Sequence, residues 1–144
     1  MKRAMFALAA LAALAALGGC APQAPAELTG EALVARGDYL VNGVVLCGDC
    51  HTPRLENMAP DETRRLQGSE IPPSGPPEVF ATIAPPIAGG PVNYTEDQFV
   101  AFLQTGVRPD GSQPRPPMPP YRLNEDDARA VNAYIRSLPA AAQE

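Results

Sequence analysis

Apolar side chains recur at helical spacing in the stretch from about Thr29 to Gly43. Positions three and four residues apart share one face of a helix, so the pattern predicts a first helix with a small, aliphatic buried face. Threonine is a favoured N-cap residue, which places the start of this helix at Thr29. The helix leads the chain to Cys47. Its predicted inward positions are Leu33, Val34, Gly37, Leu40 and Val41.

A second helix is predicted between Thr95 and Gly106. Thr95 and Gln98 have the spacing of a capping box, in which each side chain accepts a hydrogen bond from the backbone N–H of the other residue. Gly106 is typical of a helix C-terminus, where glycine adopts a left-handed conformation without steric cost. The predicted buried face consists of Phe99, Phe102 and Leu103.

A third helix is predicted from Asn124 to Leu138. Asn124 is a favoured N-cap residue, and the acidic run 125–127 after it suits the positive end of the helix dipole. Pro139 ends the helix because its ring interrupts the backbone hydrogen bonding. The predicted inward face consists of Ala128, Val131, Tyr134, Ile135 and Leu138.

Residues 53–93 lie between the first two helices and contain proline pairs at 72–73, 76–77 and 85–86. A loop of this length without regular structure is uncommon inside a compact domain. A prosthetic group that supplies the missing core would resolve this conflict. No segment alternates between apolar and polar residues, so the predicted fold class is all-α.

The N-terminal stretch has the features of a secretory signal. Lys2 and Arg3 precede the apolar run 4–17, which is too short for an ordinary membrane span. The ending Leu17-Gly18-Gly19-Cys20 resembles the lipobox of bacterial lipoproteins, in which the cysteine is lipidated and becomes the first mature residue. We therefore expect a signal peptide at 1–19, a Pro/Ala-rich tether lipidated at Cys20 over 20–29, a domain at 30–140 and a tail at 141–144.

Removal of residues 1–19 would make the chain more acidic than its net charge of −5, because Lys2 and Arg3 would be lost and all 16 acidic residues retained. Lys2 is the only lysine, so every remaining basic side chain would be arginine. Nucleic-acid binding depends on clustered basic residues, and this balance argues against it. For the same reason, the chain without residues 1–19 would have no lysines with which to bind an acidic partner protein.

The run Cys47-Gly48-Asp49-Cys50-His51 has the spacing of a covalent haem c attachment site. Two thiols three positions apart can add to the two vinyl groups of one haem, and the adjoining imidazole of His51 can bind the iron. A thiol redox motif of the thioredoxin type would require strands that the sequence does not predict. Structural zinc would require a fourth ligand, and a plain disulfide remains a further alternative.

The sixth iron ligand distinguishes an electron carrier from a ligand-binding protein. His51 is the only histidine, which excludes a second histidine ligand within the chain. Beyond the predicted signal peptide the methionines are Met58, seven residues after His51, and Met118, within a Pro-Pro-Met-Pro-Pro run. A chain that must cross to the other haem face favours the distant Met118. His/Met ligation would raise the haem potential and leave no open position for substrate.

These segments together resemble class I c-type cytochromes, in particular the small domains that serve as electron-accepting subunits of bacterial dehydrogenases. The resemblance covers about residues 31–139 and implies three main helices and Pro-rich loops around one haem, with the first and last helices crossing. Two segments differ from many relatives, which have Asn-x-Thr-Pro in place of 82–85 and Trp in place of Tyr94. The matching segments are 36–41, 47–54, 94–99, 105–111, 117–119 and 133–138.

We therefore expect a one-electron carrier with a single covalent haem c on Cys47 and Cys50 and with His51 and Met118 as axial ligands. The expected partners are a dehydrogenase donor and a respiratory acceptor, with a lipid anchor at Cys20 holding the protein at a bacterial membrane. The haem domain would lie in the periplasm or on the outer face of the cell. A non-catalytic role is expected, without a small-molecule substrate or nucleic acid. The alternative is a haem-based gas or redox sensor with a weak sixth ligand.

Overall fold

The computed structural model describes residues 27–140. The predicted signal peptide 1–19, the lipidation site Cys20, most of the tether and the tail 141–144 lie outside the described residues. The elements are α1 (Gly30–Tyr39), continued by a π-helical turn (Leu40–Val44), α2 (Gly48–His51), a 3₁₀ turn (Glu62–Arg64), β1 (Ser69–Glu70), β2 (Ile83–Ala84), α3 (Glu96–Thr105) and α4 (Glu125–Ser137). None of the helices described is long and apolar enough to cross a bilayer.

The first and last long helices, α1 and α4, pack directly against each other. Gly37 is buried at their closest approach, where a Cβ atom on this residue would lie only 2.0 Å from the carbonyl oxygen of Ala130. Beside this contact, Nε and Nη2 of Arg36 on α1 donate hydrogen bonds of 3.0 and 2.8 Å to Oδ1 of Asp127 on α4. The predicted crossing of these helices is present, and the absence of a side chain at Gly37 permits it.

The start and end of α1 differ in detail from the prediction. Thr29 occupies the N-cap position in extended conformation, but its side chain makes no capping hydrogen bond. At the other end, α-helical bonding stops at Tyr39 and the chain continues as a π-helical turn to Val44, one residue beyond the predicted end. The wider turn brings the backbone N–H of Cys47 within 3.1 Å of the carbonyl oxygen of Val41 and so fixes the approach to the cysteine pair.

The predicted boundaries of α3 and α4 are confirmed. Thr95 and Gln98 form a complete capping box, and Gly106 ends α3 in the left-handed conformation with φ of 68°. Asn124 caps α4 by accepting a hydrogen bond from the N–H of Asp127 at 2.8 Å. The predicted inward residues are buried, with Leu138 half-buried: Phe99, Phe102, Leu103, Ala128, Val131, Tyr134 and Ile135.

The segment 53–93 is mostly irregular, as predicted, but it contains a short antiparallel pair of strands in which Ser69 is opposite Ala84. The mostly helical structure fits the predicted all-α class, but the prediction did not include this strand pair, because two-residue strands are too short to show alternation. The fully buried Leu66 anchors the segment, since its carbonyl oxygen accepts hydrogen bonds from the N–H groups of Ile87 and Ala88. These contacts bring residues 81–87 against the end of α2.

Candidate cofactor-binding site

A cavity of about 210 Å³ lies among α2, residues 81–87, α3 and the loop between α3 and α4. Aliphatic and aromatic side chains form most of its wall, including Ile71, Ala84, Ile87, Phe99, Phe102, Leu103 and Ile135. The four site residues predicted within the described chain all line this cavity: Cys47, Cys50, His51 and Met118. Cys47 and Met118, which are 71 positions apart in the sequence, thus line the same apolar cavity.

The turn before α2 positions the two cysteines. Leu46 adopts a left-handed backbone with φ of 54°. In the helical turn that follows, the carbonyl oxygen of Cys47 accepts a hydrogen bond from the N–H of His51 at 2.9 Å. Both Cys47 and Cys50 are free thiols in the structure, so they form no disulfide. Burial raises the pKa of Cys47 to about 11, whereas the reactive cysteine of a thiol redox motif has a lowered pKa. The thiol redox alternative therefore lacks support.

His51 is 6% exposed, and its Nδ1 lies 2.7 Å from the carbonyl oxygen of Pro85. A carbonyl can only accept, so Nδ1 carries the proton and donates this bond. The neutral imidazole then presents the lone pair of Nε2 for metal binding, and the hydrogen bond at Nδ1 fixes the tautomer and the orientation of the ring. Burial lowers the pKa of His51, and the bond to Pro85 opposes this only in part, which favours the neutral ligand form.

Met118 is half-buried in the loop that joins α3 to α4, and this loop is held on two sides. On one side, the N–H of Ala81 donates to the carbonyl oxygen of Pro116 at 2.7 Å. On the other, the hydroxyl of Tyr121 donates to the carbonyl oxygen of Val45 at 2.8 Å. Met118 therefore lines the cavity from a loop that is held in place by hydrogen bonds.

Met58, the other methionine of the described chain, occupies a different place. Its side chain is 64% exposed, its backbone is left-handed with φ of 68°, and it does not line the cavity. It belongs to a surface turn in which the side chain of Arg54 donates to the carbonyl oxygen of Met58 at 3.0 Å. The structure thus places Met118, and not Met58, with the other candidate ligands.

Several contributors to the site were not predicted from the sequence. The carbonyl oxygen of Pro85 carries no residue-type signal, although the segment 82–85 stood out as a departure from related sequences. Tyr121 and two arginines, Arg108 and Arg115, also line the cavity. Nothing in the sequence pattern indicated that Tyr121 or the two arginines would line a cavity.

The donor set fits a c-type haem. Two free thiols, a buried imidazole with Nε2 available and a thioether line one apolar space, and these are the donor types that such a haem would need. When bound, the haem supplies an iron that alternates between ferric and ferrous states. Cys47 and Cys50 would hold it covalently, His51 and Met118 would provide the axial nitrogen and sulfur, and the apolar wall would exclude water.

The chain is similar in sequence to several known cytochrome proteins. The chain is 34% identical over 111 residues to a diheme cytochrome c-type protein of Cereibacter sphaeroides, covering 73% of this chain and 35% of that protein. It is 36% identical over 117 residues to the cytochrome c subunit of a quinone alcohol dehydrogenase of Gluconobacter oxydans, covering 74% and 24%. With the cytochrome subunit of fructose dehydrogenase of Gluconobacter japonicus it shares 31% identity over 113 residues, covering 75% and 22%.

The chain thus spans between about a fifth and a third of the length of these relatives. A family model described as Cytochrome c matches residues 34–139, which include the second half of α1, the later helices, the Cys47–His51 motif and the Met118 loop. This match supports a covalently bound haem c and a role in electron transfer. The chain belongs to the cytochrome c family.

Proposed function

We propose that this protein carries one electron at a time on a single haem c, attached through Cys47 and Cys50 and ligated by His51 and Met118. The observation that carries the proposal is that these four side chains line one apolar cavity. The sequence has one Cys-x-x-Cys-His run and one histidine, which supports a single haem. Two protein ligands leave the iron no open position, so electrons pass without a bound substrate.

The surrounding residues suit an electron carrier because they hold the candidate ligands in place. His51 is held by Pro85, and the Met118 loop is held at Ala81 and Val45. A rigid ligand set lowers the rearrangement that accompanies each electron transfer. The buried and apolar wall stabilises ferrous iron, which carries one less positive charge than ferric iron.

We further propose that the protein links a periplasmic or cell-surface dehydrogenase to a respiratory acceptor while tethered to the membrane through a lipid on Cys20. Support for the donor comes from two relatives named as cytochrome subunits of alcohol and fructose dehydrogenases. Support for the tether comes from the Leu-Gly-Gly-Cys ending of the N-terminal apolar run. Docking would use apolar, acidic or arginine-containing surfaces, because the mature chain would contain no lysine.

Mass spectrometry and visible spectroscopy of the protein expressed with a haem c maturation system test this proposal. The expected result is the added mass of one haem, a low-spin spectrum and slow, weak binding of carbon monoxide to the reduced form. The variant Cys47→Ala/Cys50→Ala should lose the covalent mass. A high-spin reduced protein that binds carbon monoxide rapidly and tightly would instead indicate a gas sensor with a weak sixth ligand.

A further inference from the structure

The cavity wall has an unusual charge for so acidic a chain. The protein contains 16 acidic and 11 basic residues, yet the wall includes two arginines, Arg108 and Arg115, and no carboxylate among the described lining residues. The other ionisable residues of the wall are two cysteines, two tyrosines and one histidine, and each of these side chains has an uncharged form: Cys47, Cys50, Tyr94, Tyr121 and His51. The wall therefore has a net positive charge, which favours an anionic group on the ligand that fills the cavity.

Arg108 is fixed in place by its own turn. Its N–H donates to the carbonyl oxygen of Ser112 at 2.8 Å, and its carbonyl oxygen accepts from Gly111 at 2.9 Å. Its Nη1 donates to the carbonyl oxygen of Gln113 at 2.7 Å and to the hydroxyl of Ser112 at 3.3 Å. The guanidinium is thus oriented by neutral acceptors, and both of these side-chain bonds use Nη1.

No ion pair to Arg108 forms within residues 27–140. The nearby carboxylate of Asp110 instead accepts hydrogen bonds from the N–H and hydroxyl of Ser112 at 2.9 and 2.7 Å. Arg108 is half-buried, so its charge is less screened by salt than that of a surface arginine. A half-buried guanidinium that forms no ion pair and lies beside an apolar cavity is suited to a carboxylate.

Arg115 lies at a more exposed edge of the same cavity. Its Nη1 donates to the carbonyl oxygen of Pro77 at 2.9 Å, and its own carbonyl oxygen accepts from the N–H of Met118 at 3.2 Å. Its side chain therefore bridges the two loops that border the cavity and adds a second positive charge there. Greater exposure means that its charge acts more weakly on anything inside.

We propose that Arg108, assisted by Arg115, binds the propionate carboxylates of the haem and raises its reduction potential. The inference rests on the proposed function, because the propionates belong to a haem in this cavity. Haem c has carboxylates only in its propionates, and Arg108 and Arg115 are the two cationic side chains of the described wall. Reduction removes one positive charge from the iron, so a nearby guanidinium favours the ferrous state through Coulomb interaction.

Spectroelectrochemical titration of the haem-loaded protein tests this inference. The variants are Arg108→Gln, which removes the charge, Arg108→Lys, which keeps it, and Arg115→Gln. Arg129→Gln is the matched control, because Arg129 is exposed on α4, pairs with Glu125 and does not line the cavity. Each of the three glutamine variants removes one positive charge from the protein. Differences in reduction potential among them therefore depend on where the arginine lies relative to the haem.

We expect Arg108→Gln to lower the equilibrium constant for one-electron reduction about two- to tenfold, with a smaller decrease for Arg115→Gln and almost none for Arg129→Gln. Arg108→Lys should restore most of the loss. Equal constants for Arg108→Gln and Arg129→Gln in low-spin, haem-loaded proteins would overturn the inference but leave the proposed function intact. A wild-type protein without covalent haem would overturn both.

Discussion

The hydroxyl of Tyr121 donates a hydrogen bond to the backbone carbonyl of Val45 at 2.8 Å. Val45 lies two residues before Cys47, and Tyr121 lies three residues after Met118. This single bond therefore joins the segment that would hold the haem covalently to the loop that would supply the axial sulfur. Burial raises the pKa of Tyr121 to about 12, so the hydroxyl remains a donor over the whole physiological range.

Tyr121→Phe is expected to loosen the Met118 loop. Loss of one half-buried hydrogen bond costs about 1 kcal/mol, and the free carbonyl of Val45 adds to this cost. If the cost falls on the ligated state, carbon monoxide should compete with Met118 about fivefold better in the reduced protein. Tyr39→Phe is the matched control, because Tyr39 is 59% exposed and does not line the cavity. Identical carbon monoxide affinities for the two variants would show that the bond does not support the loop.

Gly37→Ala is expected to destabilise the crossing of α1 and α4. The added methyl group would lie 2.0 Å from the carbonyl oxygen of Ala130 and 2.6 Å from Cβ of Tyr134, so the helices must separate. Overpacking of this kind lowers the free energy of unfolding by about 1–3 kcal/mol. In contrast, Gly43→Ala would place its methyl group 3.5 Å from the Tyr39 ring, an ordinary contact, and should preserve or slightly increase stability. Denaturant titration measures the free energy of unfolding of both variants. Equal values for the two would contradict the close packing of α1 on α4 at Gly37.

The two threonine N-caps are expected to differ in their contribution to stability. Thr95→Ala removes the side-chain oxygen that accepts from the N–H of Gln98 at 3.2 Å, and should cost about 1 kcal/mol. Thr29 forms no such bond, so Thr29→Ala should leave the unfolding midpoint nearly unchanged. Equal losses in thermal unfolding experiments would mean that Thr29 caps α1 in solution.

Asp61 is expected to contribute to the acid sensitivity of the fold. Its carboxylate accepts bonds from Thr63 Oγ1 at 2.6 Å and from Arg64 Nε at 2.7 Å, and these bonds lower its pKa below the usual 3.8. A lowered native pKa stabilises the protein above pH 3.8, and that stability is lost as the pH falls through the native pKa. Asp61→Asn should therefore show a shallower decrease in melting temperature between pH 5 and pH 3 than the wild type. Parallel decreases would exclude the contribution.

The sequence predicted the helices best where their ends depend on local chemistry. Thr95 with Gln98, Gly106 and Asn124 all occupy the predicted boundary positions, because capping is decided by neighbouring residues. Thr29 shows the limit of this reasoning, since the residue type is right for a cap but its hydroxyl makes no bond to the helix. The π-helical turn at 40–44 was not predictable either, because it is set by how α1 approaches Cys47 and packs on α4.

Some residues of the candidate site could likewise be predicted from the sequence, and others could not. The residue types and spacing of Cys47, Cys50 and His51 were sufficient to predict their chemistry, and elimination among two methionines led to Met118. Contributors that act through backbone carbonyls, such as Pro85, or through long-range folding have no such signature. Arg108 belongs to this second group, because only the folded loop shows that this residue lines the cavity.

The near-infrared spectrum of the oxidised protein tests the central claim most directly, because a weak sulfur-to-iron band in that region reports methionine ligation. Met118→Ala and Met58→Ala should be compared with the wild type, each carrying one covalent haem. The band should be present in the wild type and in Met58→Ala, where the replaced side chain is exposed outside the cavity, and absent in Met118→Ala. A wild type without the band, or a Met118→Ala variant that retains it, would contradict His/Met ligation by His51 and Met118.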